Sequence, residues 1–115
     1  MQYNTYILDW TMNEYDELKT DLMKLGFEFV KEEGKEHLRV KVLFERIDEF
    51  EKLIQQHLNA PYNYVDVSFP EQKLLYIVFG IRVFKISNKD ENKQAQEWAI
   101  SIGLPSKQAV WEFHF

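Results

Sequence analysis

The spacing of apolar and polar positions changes several times along the chain, and each change marks an element. Over residues 3–10, Tyr6, Leu8 and Trp10 alternate with Thr5, Ile7 and Asp9, as in a strand with two different faces. From Tyr15 the apolar positions take helical spacing, Tyr15, Leu18, Leu22 and Leu25, until Gly26 offers a left-handed stop. Thr11 and Glu14, three residues apart ahead of this run, have the form of a capping box. The pattern predicts a strand followed by an amphipathic helix.

Phe27 and Phe29 open a second strand that runs into Lys31, Glu32, Glu33, Gly34 and Lys35, a charged turn containing glycine. Leu38, Val40, Val42 and Phe44 then alternate with His37, Arg39, Lys41 and Leu43, which makes the pair a hairpin. Ile47, Phe50, Leu53, Ile54 and Leu58 form a second helical stripe, ended by Asn59, Ala60 and a proline, Pro61, that cannot continue it. Val65, Val67 and Phe69 alternate once more. Strand, helix, strand, strand, helix, strand is the order of a split βαβ, ferredoxin-like unit.

The chain then extends that unit. Residues 74–79 are apolar without interruption, as a strand covered on both faces would be. Gly80 and Ile81 suit a two-residue turn with glycine first, leading to a strand at residues 82–86, and a bulged continuous strand is the alternative explanation of the glycine. Asn88 and Glu91 suit a second capping box, and Ala95, Trp98, Ala99 and Ile102 line one face of a third helix that stops at Gly103 and Pro105. Residues 110–115 alternate again, with Trp111, Phe113 and Phe115 on one side, and read as a closing strand. The expected fold is therefore a single α+β domain over residues 1–115. It is a ferredoxin-like βαββαβ unit extended by a ββαβ segment, with a mainly antiparallel sheet and helices packed on it.

Composition narrows what such a domain does. With 45% hydrophobic and 16% aromatic residues in 115, and only four Gly and three Pro, the chain has the apolar surface needed to offset its conformational entropy. No run reaches the roughly 20 apolar residues of a membrane span, and the start lacks the pattern of a secretion signal. The absence of cysteine removes disulfides, thiolate ligands and thiol nucleophiles together. A cytoplasmic, soluble protein without membrane association is expected. The net charge of −5 sets its average field against phosphate backbones, which disfavours nucleic acid as a partner.

Candidate chemistry is sparse. The histidines, His37, His57 and His114, share no ligand spacing, so no metal is expected; the four glycines stand far apart, so no nucleotide or other cofactor is expected either. His57, on the edge of the second helical stripe, reads as a boundary residue. Glu112 and His114 lie two apart and so point the same way on a strand, a possible polar pair for a small pocket, although an outward face explains both. His37, Arg39 and Lys41 form a basic face that an open sheet would place beside Tyr62 and Tyr64, a crude RNA-binding arrangement. Nine Phe, six Tyr and three Trp are much aromatic surface for one small core: either all of them fill the core between sheet and helices, or some serve an interface, for which Trp111, Phe113 and Phe115 are the candidates.

From residue 86 to residue 114 a strand, a helix, a Gly-apolar-Pro stop and a strand ending in Phe-His follow one another, with Ile86, Gly103, Leu104, Pro105, Val110, Phe113 and His114 at the matching positions. This segment resembles the C-terminal part of the cyanobacterial excision-controlling factor family XisI. The resemblance implies a non-catalytic accessory protein that works beside a nuclease-like partner in a mobile-element context. Together these readings favour a non-enzymatic interaction or regulatory module that forms a homodimer or binds a protein partner. A small-molecule-binding domain or minor enzyme, and an RNA-binding sheet face, are the alternatives.

Overall fold

Backbone hydrogen bonding follows the alternation closely. The computed structural model of the protein describes residues 4–31 and 37–115. Strands β1 (Thr5–Leu8), β2 (Glu28–Lys31), β3 (His37–Lys41), β4 (Tyr64–Phe69), β5 (Leu74–Phe79) and β6 (Val83–Ile86) join into one sheet. Its order is β2-β3-β1-β4-β5-β6, and every neighbouring pair is antiparallel. Helices α1 (Tyr15–Lys24), α2 (Ile47–His57) and α3 (Lys89–Ser101) complete an α+β fold. Within it, β3 lies between β2 and β1, and β1 between β3 and β4, an order compatible with two interleaved split βαβ units.

Successive side chains of a strand point to opposite faces, so the sheet carries two cores. On the first face, Ile7, Leu38, Val40, Val65, Val67, Phe69, Tyr76 and Val78 pack with Leu18 and Leu22 of α1 and Ile47, Phe50, Leu53 and Ile54 of α2. On the second, Leu75, Ile77, Phe79 and Ile86 pack with Ala95 and Ala99 of α3 and with Leu104, Ala109 and Trp111 beyond it. β5 contributes to both, which accounts for its unbroken apolarity. α3 and the tail cover only the β5 and β6 end of the second face, and β3, β1 and β4 carry half-buried side chains there: Arg39, Tyr6, Leu8, Tyr64 and Asp66.

Several local expectations need correction. The closing strand does not form: residues 109–115 join no ladder, and Trp111 is held instead by Nδ2 of Asn92 (3.2 Å) and Nε2 of Gln96 (2.7 Å), both donating to its carbonyl. The extension is therefore ββα followed by a packed tail. The alternation of Trp111, Phe113 and Phe115 reflects one side lying on the protein, not a ladder. The Thr11 capping box also fails, because Thr11 is buried in a 3-10 turn (Asp9–Thr11) and its hydroxyl donates back to the Leu8 carbonyl at 2.7 Å. Glu14 takes the cap position of α1 in the left-handed conformation, φ 51°, without a side-chain cap bond. β3 stops at Lys41, and Phe44 belongs to a 3-10 turn (Phe44–Arg46).

Other local expectations hold. Asn88 Oδ1 accepts the Glu91 N–H at 2.8 Å, while Glu91 reaches back to the N–H and hydroxyl of Ser87. Gly26 and Gly103 end α1 and α3 with φ of +83° and +115°. Gly80 and Ile81 do form the two-residue hairpin turn, closed by Phe79 N–H on the Arg82 carbonyl at 2.8 Å, yet Gly80 has no positive φ, so the turn is not of the glycine-demanding type. The charged turn at residues 32–35 lies outside the described residues. No helix of the described residues is long and apolar enough to cross a membrane.

Candidate functional site

The half of the second face left uncovered by α3 holds a groove of about 450 Å³. Its floor is the outward side of β1 and β4, with Tyr6, Leu8, Tyr64 and Asp66; the chain leaving α3, with Leu104, Lys107, Gln108 and Val110, forms the opposite wall. Trp10 and Tyr62 stand at one end, 63% and 40% exposed, and Val110 is 62% exposed. These three open apolar side chains share one rim.

Specific bonds set the rim. The 3-10 turn after β1 projects Trp10, and Asn59 fixes it by donating Nδ2 to the Trp10 carbonyl (2.8 Å) and its N–H to the Thr11 carbonyl (3.0 Å). His57 supports the same loop from below: it is 6% exposed, its Nδ1 lies 2.9 Å from the Asn13 carbonyl, and its own carbonyl accepts the Asn13 N–H. A boundary histidine was expected; its attachment to a loop 44 residues earlier was not visible in the spacing. Tyr62 lies within a turn closed by Asn63 N–H on the Ala60 carbonyl (3.1 Å) and packs over Gly103, whose added Cβ would lie 3.6 Å from its ring. Tyr64 donates its hydroxyl to the Gln108 carbonyl (3.1 Å) and meets the Trp111 ring edge-on at 4.8 Å, tying floor to wall.

Electrostatically the floor is unusual. Asp66 lies in the middle of β4, and burial pushes its carboxyl above the usual carboxylate range, opposed by its own backbone N–H. Burial also raises the Tyr64 hydroxyl, with the Asp66 charge adding to the effect. A desolvated carboxylate among aromatic rings has the chemistry to bind a cation and to repel an anion.

The sequence-designated residues fall elsewhere. Trp111 is only 7% exposed and packs inside the second core of this chain; Phe113 and Phe115 are half-buried against the same core, their rings 5.5 Å apart. Glu112 and His114 are exposed on the rim of a groove of about 620 Å³ between Lys89, Asn92 and Lys93 of α3 and the tail. Both belong to the exposed side of the tail, although no strand holds them there. Arg39 and Lys41 share the second face, Arg39 over the Tyr6 ring at 5.2 Å and Lys41 exposed; the side chain of His37 lies outside the described residues. Tyr64 joins them on that face, as the open-sheet reading anticipated, whereas Asp66 carried no sequence signal beyond being a polar position in an alternating strand. No group of three or more His, Asp or Glu suited to a metal is formed among the described residues.

These features define an α+β protein with a two-sided sheet and one aromatic groove on its open half. No protein family, curated protein or solved structure matches the chain.

Proposed function

We propose that this protein is a small non-enzymatic interaction module of the cytoplasm that docks a partner protein on the open half of its sheet. The observation that carries this reading is the half-covered second face. Trp10, Tyr62 and Val110 leave apolar surface in water around a groove of about 450 Å³, while the β5 and β6 end of the same face is sealed by α3 and the tail. Aromatic side chains of this kind serve as anchors because they bury much area for little lost rotamer entropy. The resemblance of residues 86–114 to the XisI family points the same way, toward an accessory protein beside a catalytic partner.

The test is comparative capture from the native source with the full chain and with Trp10→Glu plus Val110→Glu, two exposed positions whose replacement leaves both cores intact. The reading expects a partner retained by the parent chain and lost by the variant. Equal retention by both proteins, or no retained partner, would end it. Light scattering on the eluted species tells a second copy of the chain from a different protein.

A further inference from the structure

The chemistry of the groove narrows the partner, an inference that rests on the docking reading above. Asp66 lies on the floor between Tyr64, two residues earlier on the same face of β4, and Tyr6 of β1; Trp10 and Tyr62 stand over one end. Aromatic faces and a carboxylate attract the same kind of group, a cation with an apolar stem. The protein already pairs its own cations with rings in this way, with Arg39 over Tyr6 at 5.2 Å and Arg82 over Phe84 at 4.2 Å. Lys107 on the wall is exposed, so its ammonium stays hydrated and screened from the floor.

We propose that the groove receives a lysine or arginine side chain from a basic segment of the partner protein, its charged end on the Asp66 carboxylate and its methylenes along Tyr64, Tyr62 and Trp10. Charge favours this occupant over the others. A second copy placed groove to groove about a two-fold axis brings two Asp66 carboxylates together in a chain of net charge −5. Single-stranded RNA would stack on the rings but would set its phosphates against the same carboxylate. The desolvated state of Asp66 fits a group whose counter-ion arrives with the partner.

The experiment is an NMR titration of the isotope-labelled full chain with Nα-acetyl-lysine amide and Nα-acetyl-arginine amide, against the neutral norleucine and citrulline amides. The cationic probes should shift Asp66, Tyr64 and the Trp10 indole and bind about tenfold more tightly than their neutral counterparts, a difference typical of one close ionic contact. Asp66→Asn should abolish that difference with the rest of the spectrum unchanged. If Asp66→Asn fails to fold, Tyr62→Ala at the exposed rim carries the test and should weaken cation binding several-fold. Equal binding of neutral probes, undiminished binding by Asp66→Asn, or shifts at these residues only with a uridine oligonucleotide would overturn the assignment. Loss of partner capture by the rim variant together with no cation binding would leave the docking reading standing and remove the cation alone.

Discussion

Replacing Trp111 by alanine separates an intramolecular anchor from an interface residue. The side chain is 7% exposed and meets Tyr64 at 4.8 Å and Phe79 at 6.3 Å. Burying roughly 200 Å² of indole at about 25 cal/mol per Å² contributes about 5 kcal/mol. Residual structure in the unfolded chain lowers this to about 3–4 kcal/mol. Against it stands the indole Nε1–H, buried without a hydrogen-bond partner among the described residues, an unmet donor that costs about 1–3 kcal/mol and disappears with the ring. The net expectation is a loss of about 2 kcal/mol, or a Tm lower by about 8 °C for a domain of this size. Trp111→Phe removes the unmet donor and keeps most of the ring, so it should stay within about 1 kcal/mol of the parent. Urea unfolding followed by circular dichroism, at two protein concentrations, measures both. A loss under about 0.5 kcal/mol for alanine, or a midpoint that depends on concentration in the parent and not in the variant, would refute the packing and restore Trp111 to an interface.

Two glycines should respond with opposite signs. Gly80→Ala meets open space at a non-positive φ and should stabilise by about 0.5 kcal/mol, whereas Gly103→Ala at φ +115° should cost about 1–2 kcal/mol in the same unfolding assay. Asn88→Ala removes the acceptor of the Glu91 N–H and should cost about 1 kcal/mol, read as lower helicity and midpoint. Glu51 has its carboxyl raised from 4.5 to about 6 by burial first and Asp48 second. Its ionised form is disfavoured by folding, so its penalty is absent below about pH 4.5, grows as pH rises through about 6 and is complete above. Glu51→Gln should therefore gain stability over the parent at pH 7.5 and not at pH 4, by about 1 kcal/mol after allowing for partial exposure.

Most of the fold was legible because burial here follows local period. Leu18 and Leu22, Phe50, Leu53 and Ile54, and the alternating Val65, Val67 and Phe69 all lie in the core that their spacing implied. The tail misled for a physical reason: alternation records which side is buried, and Trp111 is buried by lying across a sheet whose ladder it never enters. Thr11 misled because it ends a 3-10 turn, whereas α1 starts only at Tyr15 with Glu14 in the cap position, so the helix N–H groups lie beyond the threonine. The groove was the least visible feature. Asp66, Tyr6, Trp10 and Tyr62 are brought together by the β1-β4 pairing and by Asn59 anchoring the loop after β1, contacts between residues some fifty positions apart that no local period encodes.

The double burial of β5 has a consequence for the history of each molecule. Leu74–Phe79 is six apolar residues without charge, proline or glycine, the composition of a segment that pairs readily with copies of itself. Among the described residues its second face is sealed by α3 and the tail, which follow it along the chain. During synthesis, and whenever α3 lifts away, Leu75, Ile77 and Phe79 form a bare adhesive stripe. The third helix is thus a guard against self-assembly as well as a layer of the fold, and chains cut before Lys89 should precipitate while the full chain stays in solution.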